Sequence, residues 1–322
     1  MKMKKLAVIL LAGVLAVSAV ACGSKPADGG DNGSNDDVKV AVLIKATDST
    51  FWQKVGEGAE KYGKDNEGVK VEVQGPASEA AIEQSLSLLE NVILSEPDAI
   101  VLGSNAAEGA NAALADAKAA GIPVITVDTQ LPSEDVTAHL ATDNYKGGEL
   151  AAEAMVKSLQ DQGKELKGKV GIISAVAGVQ TCIDRDEGFA SKMKEIAPDI
   201  EILEPIYIDN EISKAIEGAE NLMTSYGDDL IGIYGDANHP GDGLAKAIEQ
   251  AGAEDKVTVV SFDDDPEEIE GLKNGSIKAL IIQDQFNMGY SGVEYAVKAS
   301  KGEKVEALVD TGVKVTWPED LQ

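Results

Sequence analysis

The 322-residue chain has two cysteines, two histidines, one arginine and only 4% aromatic residues. Each shortage excludes something. Cys22 and Cys182 are too few for a disulfide framework or a cysteine-based metal cluster. His139 and His239 are too few and too far apart for a zinc motif. A Gly-x-Ser-x-Gly elbow, a His-Glu-x-x-His motif and a Gly-Lys-Ser/Thr phosphate loop are all missing. Gly56-Glu57-Gly58 and Gly241-Asp242-Gly243 lack the third glycine of a dinucleotide fingerprint. Asp128 and Asp263 could in principle form an acid–base pair. Without a nucleophile, metal site or cofactor motif beside them, binding is expected in place of catalysis. Positive charge is also scarce: 28 basic residues face 56 acidic ones, a net charge of −28. Nucleic acid phosphates are held by clustered Lys and Arg, so this body repels them.

The one long apolar run is at 6–21, behind the basic start Met1-Lys2-Met3-Lys4-Lys5. It is short of the roughly 20 residues a spanning helix needs, and it ends in Ser18-Ala19-Val20-Ala21 before Cys22. A basic start, a short apolar core and small residues at the cut make a secretory signal. The cysteine at the cut resembles a bacterial lipobox, although Ala19 stands where that pattern more often has Leu. Residues 1–21 are therefore expected to be a signal peptide and 22–37 a flexible linker anchored by lipid at Cys22. That linker is Gly, Ser, Asn, Asp and Pro with almost nothing apolar, too little to order itself. Its run Asp31-Asn32-Gly33-Ser34-Asn35-Asp36-Asp37 lacks the closing glutamate of an EF-hand. Removing Lys2, Lys4 and Lys5 takes the net charge from −28 to −31. An extracytoplasmic protein follows, tethered to the outer face of a Gram-positive membrane or periplasmic.

What remains, 38–322, is long enough for two cores. Apolar strands are predicted at 38–44, 69–73, 99–102, 123–127, 169–173, 202–207, 230–234, 257–262 and 278–282. Amphipathic helices are predicted at 52–65, 79–94, 106–120, 145–159, 187–196, 212–225 and 243–251. Asp265-Pro266-Glu267-Glu268 opens another helix with Pro at its first position. Continuous apolar strands alternating with helices mean parallel sheets covered on both faces. Nine strands are many for one open sheet, so the expected α/β fold is two doubly wound parallel-sheet lobes.

In open α/β sheets, ligands bind beyond the carboxyl ends of the strands. Polar residues stand there repeatedly: Lys45, Asp128, Asp236, Asp263 and Gln283. Donors and acceptors together suit a polyhydroxylated ligand. Arg185, the only arginine against 27 lysines, offers a planar fork of donors that lysine cannot reproduce. A salt bridge to Asp184, Asp186 or Glu187 is the competing reading. Phe51-Trp52 opens the first helix in an aromatic-poor chain. Either one points into the core while the other covers a lobe edge, or both stack on a sugar ring. Cys182 reads as a small packed residue.

At these residues the chain resembles the periplasmic sugar-binding proteins related to the ribose- and allose-binding proteins. Val42-Leu43-Ile44-Lys45-Ala46-Thr47-Asp48-Ser49-Thr50-Phe51-Trp52 looks like the family's opening segment, and Gly121-Ile122-Pro123-Val124-Ile125-Thr126-Val127-Asp128 like its fourth strand. Asp143-Asn144-Tyr145-Lys146-Gly147-Gly148, Arg185-Asp186-Glu187-Gly188-Phe189 and Ser261-Phe262-Asp263 follow in the family's order. The resemblance implies a three-segment hinge near 141–142, 283–284 and 311–312. It divides the chain into an N-terminal lobe, 38–141 plus 284–311, and a C-terminal lobe, 142–283 plus 312–322. It implies a monomer that closes on a monosaccharide and presents it to an ABC transporter permease, with no cofactor and no metal. Lys45, Asp128, Arg185, Asn238, Asp263 and Gln283 would bond sugar hydroxyls, and Phe51 and Trp52 would stack. Ser49 replaces a ligand-binding Asn, Thr129 stands where the ribose binder has Arg, and the aromatic expected near Asn210 is missing. The spacing around Ala237-Asn238-His239 is one residue short, which leaves Ala237 and Asn238 both open for that contact. A nucleoside, autoinducer or polyol receptor, or a sugar sensor for a kinase, is the alternative reading. A sugar-responsive transcription regulator of the same fold would need a helix-turn-helix where the signal and linker stand.

Overall fold

A computed structural model describes residues 37–321 apart from 105 and 107; the expected signal, lipidation site Cys22 and nearly all of the linker lie outside the described residues. Two sheets form. The first contains β1 (Val38–Leu43), β2 (Val69–Gln74), β3 (Ala99–Leu102), β4 (Val124–Val127), β5 (Ala138–Ala141) and β12 (Leu308–Asp310). Its order is β12-β5-β4-β3-β1-β2 and every pairing is parallel. The second contains β6 (Gly168–Ser174), β7 (Ile200–Ile202), β9 (Leu230–Gly235), β10 (Thr258–Phe262), β11 (Ala279–Gln283) and β13 (Val313–Thr316), with β8 (Ile206–Tyr207) also on β6. Its order is β13-β11-β10-β9-β6-β7, and β13 alone runs antiparallel.

Helices cover both faces of each sheet because the central strands are apolar on both sides. In the first lobe, α1 (Thr50–Asp65) and α9 (Gln285–Ser300) pack over Val40, Val42, Val101 and Val127. On the opposite face, α2 (Ile82–Leu94) and α3 (Asn111–Ala119) pack over Ala41, Leu43, Ile100 and Leu102. In the second lobe, α4 (Asn144–Asp161) and α5 (Gln180–Ile196) cover Val170, Ile172, Val260 and Phe262. There α6 (Ile212–Tyr226), α7 (Asn238–Ala251) and α8 (Pro266–Asn274) cover Ile173, Ile233, Val259 and Leu280. Two doubly wound lobes are thus present as expected.

The lobes repeat one device. A Cβ added at Gly58 would lie 2.0 Å from the Phe286 carbonyl oxygen, and one at Gly289 would lie 1.8 Å from that of Val55, so α1 and α9 touch backbone to backbone. In the second lobe, Gly148 faces the Arg185 carbonyl and Gly188 that of Tyr145, each 2.1 Å from an added Cβ. Glycine is required at such approaches.

The chain passes between the sheets after β5, after β11 and between β12 and β13. These passages are bonded to one another: Thr311 N donates to Ala141 O, and Asp284 N to Gly312 O. Several expectations need correction. The strand expected at 202–207 is broken into β7 and β8 around Leu203-Glu204-Pro205, where proline has no N–H for a ladder. The helix expected at 187–196 starts at Gln180, and that expected at 106–120 shortens to α3 behind a single 3₁₀ turn. Strands β5, β12 and β13 and helix α9 were not anticipated, and antiparallel β13 departs from an all-parallel sheet.

Candidate functional site

Asp128 directly follows β4 and Asp263 directly follows β10, the same place in each lobe. Both have left-handed backbones, φ +66° and +77°, which cost a non-glycine residue about 1–3 kcal/mol. Each amide still donates to the neighbouring strand, Asp128 to Leu140 O and Asp263 to Ile281 O, both at 2.9 Å. The strain therefore sits at two matching strand ends, one in each lobe.

Around Asp128, Lys45 Nζ lies 2.7 Å from Oδ2 and 2.6 Å from Thr129 Oγ1, and Thr129 Oγ1 donates to the same Oδ2 at 2.9 Å. Burial pushes the Asp128 carboxyl up, but the charge and hydrogen bond of Lys45, Thr129 and the charge of Arg185 outweigh it. The net shift is downward, so Asp128 is an ionised acceptor at neutral pH.

Arg185 comes from the other lobe, in the second turn of α5, and is 5% exposed. Its Nε donates to Asn144 Oδ1 and Nη1 to the Asp236 carbonyl, each at 2.8 Å, and its plane lies 4.0 Å over the Phe262 ring. Two of five donors are thus used on the protein, and the salt bridge weighed against a positioned fork is not formed. The charge of Arg185 draws the carboxyls of both Asp128 and Asp263 downward, while its hydrogen bonds and ring contact are all made within the second lobe.

Gln283 ends β11 and donates from Nε2 to Asp263 Oδ1 at 2.8 Å. Burial pushes Asp263 up to about 6 against the pull of Arg185 and Gln283. Asp236 corrects an expectation. Its side chain is wholly buried, accepting from Ser174 Oγ at 2.6 Å and Ala175 N at 2.9 Å. It supports Arg185 through its carbonyl and does not line the cleft with its carboxylate. Cys182 is packed beside it, its thiol pushed up to about 12 by burial.

The remaining expected residues sit as follows. Ser49 caps α1, accepting from Trp52 N at 3.5 Å. Trp52 is 2% exposed, packed in the first lobe's core, with Nε1 donating to Glu79 Oε1 at 2.8 Å and Lys45 Nζ 5.2 Å over its ring. Phe51 meets it edge-on at 5.2 Å and keeps part of its surface exposed. Asn238 donates to Asp265 Oδ2 at 3.0 Å and accepts from His239 N, so both ends of its amide are engaged. Ala237 only precedes α7 and brings no polar side chain.

The structure gives partners to two residues that the sequence placed only within family segments. Thr129 bridges Lys45 and Asp128, and Asn144 aims Arg185. Contacts also run between lobes: Thr50 Oγ1 donates to Asp265 Oδ1 at 2.8 Å, Gln285 Nε2 to Asp264 Oδ1 at 3.2 Å, and Lys54 pairs with Asp264. Among the described residues, no group of His, Cys, Asp and Glu is arranged to hold a metal ion.

Two doubly wound lobes, joined by three passages and facing each other with polar strand ends, define a solute-binding protein of the type I periplasmic binding protein fold. The chain belongs to the periplasmic binding protein domain family, whose model matches residues 40–304. It is 29% identical to the ribose import binding protein RbsB of Salmonella typhimurium over 98% of this chain and 99% of that one. It is also similar to a carbohydrate transporter solute binding protein from Agrobacterium radiobacter, solved with D-arabinose, at 32% identity and a TM-score of 0.77. That match covers 88% of this chain and 96% of the other. An ABC transporter solute binding protein from Agrobacterium vitis, solved with D-fucose, matches at 34% identity and a TM-score of 0.74 over 88% and 96%. These relatives agree with a sugar-binding transport protein and with binding in place of catalysis.

Proposed function

We propose that this protein captures a monosaccharide between its lobes and delivers it to an ABC transporter permease. The reading is supported by polar residues at the strand ends of both lobes: Lys45 and Asp128 in one, and Asp263 and Gln283, with Arg185, in the other. That set offers fixed donors and carboxylate acceptors, the complement of a ring bearing several hydroxyls. Phe51, which keeps part of its surface exposed, forms the apolar wall with the buried Trp52 packed behind it, and Ser49 and Asn238 complete the rim. The lobes, 38–141 plus 284–311 and 142–283 plus 312–322, close about 141–142, 283–284 and 311–312, and ligand contacts from both sides favour the closed form. The monomer works outside the cytoplasmic membrane, tethered by lipid at Cys22.

The test is a titration of the protein lacking residues 1–22 with D-ribose, D-allose, D-arabinose, D-fucose, D-galactose and a set of nucleosides. Binding is followed by tryptophan fluorescence and melting temperature. At a hundredfold excess over Kd, binding raises stability by about 2.7 kcal/mol. A saturable response to one sugar is the expected result. Silence across the sugars with a response to a nucleoside would overturn the ligand class and leave the fold intact.

A further inference from the structure

We propose that the sugar cleft continues into a second subsite beside the passages between the lobes, and that this subsite holds a second ring attached through the anomeric oxygen. The protein would then accept glycosides as well as free sugars. The inference rests on the monosaccharide reading above.

A cavity of about 560 Å³ lies there, within the roughly 300–1,000 Å³ of ligand-sized sites. It borders the cluster through Asp128, Thr129 and Asn144 and extends away from Asp263 and Gln283, between the starts of α4 and α5 and edge strand β12. A ring bonded to Asp128 therefore has space behind it.

The wall chemistry selects the occupant. Val179 precedes α5 without a side-chain cap, so the first amides of a 17-residue helix face the cavity unpaired by a capping side chain. Asp128, Asp184 and Asp310 supply acceptors in the same wall. With Asp143, four carboxylates line the cavity and repel a phosphate, and amide donors do not suit a bare cation. Donors and acceptors together fit neutral hydroxyls.

A second observation concerns apolar surface. Of seven large hydrophobic side chains exposed among the described residues, Tyr145, Val179 and Leu308 line this cavity. The Tyr145 ring is a platform for the C–H face of a sugar.

The test compares D-ribose, D-allose, D-arabinose and D-galactose with the methyl and D-glucosyl glycosides of each, in both anomers, by calorimetry on the protein lacking residues 1–22. For the sugar that binds, one anomer of the glucosyl glycoside is expected to bind at least tenfold more tightly than the matching methyl glycoside. Tyr145→Ala and Leu308→Ser should remove that gain and leave the free sugar within twofold. If the free sugar binds but both glucosyl anomers are a hundredfold weaker, or the gain survives both substitutions, the second subsite is wrong and the monosaccharide reading stands. If no free sugar binds, the monosaccharide reading fails, and this inference fails with it.

Discussion

Replacing Thr50 by Val and Lys54 by Met together removes two of the three first-lobe side chains that reach Asp264 and Asp265 in the second lobe. Neither residue belongs to the cluster around Arg185, so the effect should act through closure. A hydrogen bond to a charged acceptor contributes about 1.5 kcal/mol or somewhat more. A partly exposed ion pair such as Lys54–Asp264 adds about 0.5 kcal/mol. About 2 kcal/mol is thus lost from the closed form, and if the free protein is mainly open, the whole loss falls on binding. Kd should weaken roughly thirtyfold, mainly through faster dissociation, and less at high salt because the ion-pair part is screened. Calorimetry and stopped-flow fluorescence read both quantities. If the free protein is mainly closed, the loss appears instead as a wider lobe separation in the ligand-free variant, measurable by spin-label distances. An unchanged Kd, dissociation rate and lobe separation would together refute the latch.

Three further outcomes follow from the same geometry. Arg185→Lys keeps a positive charge but not the fork that holds Asn144 and the Asp236 carbonyl, so affinity should fall about a hundredfold, close to 3 kcal/mol, in a calorimetric titration. Asp263, pushed up to about 6 by burial against a usual 3.8, makes the ligand-free protein lose stability as pH rises from about 4 to 6, at most about 3 kcal/mol. On the proposed site, where the sugar bonds to the ionised carboxylate, binding should strengthen over the same range; Asp263→Asn should flatten both profiles, measured against wild type by denaturant titration and calorimetry. Gly148→Ala puts a Cβ 2.1 Å from the Arg185 carbonyl and should destabilise the fold by about 3 kcal/mol while displacing Arg185, so Tm and affinity should fall together.

The alternation of apolar runs and amphipathic stretches was enough to read two doubly wound lobes, because central parallel strands must be apolar on both faces. Strands β5, β12 and β13 escaped for the same reason in reverse. Each has only three or four residues, and β12 and β13 lie at sheet edges with side chains exposed or half-buried except Thr316. Of the site, the strand-end positions were legible from their place after each apolar run, and Arg185 from its rarity. Side-chain direction was not. Asp236 and Asp263 both follow strands of one sheet, yet Asp236 turns inward to Ser174 while Asp263 joins Gln283. The positive φ of Asp263 leaves no mark in composition. The lobe-to-lobe contacts of Thr50 and Lys54 were equally hidden, since their partners lie more than 200 positions away.

The matching positions of Asp128 and Asp263 show how one backbone device gives two chemical characters. Both carboxylates leave a strand end through a left-handed residue, and burial pushes both toward the neutral form. Arg185 draws both back equally in sign. The difference is the partner each lobe provides: an ammonium for Asp128, an uncharged amide for Asp263. A full charge at 2.7 Å offsets desolvation, and an amide dipole at 2.8 Å does not. Asp264 and Asp265 then add repulsion on the second lobe's side. The first lobe therefore carries a permanently ionised acceptor, whereas the second carries one whose charge depends on pH near 6. On the proposed site, a sugar bonded to both would be held firmly by the first lobe at every physiological pH and released from the second on acidification, which would make the second lobe the pH-sensitive half of the closure.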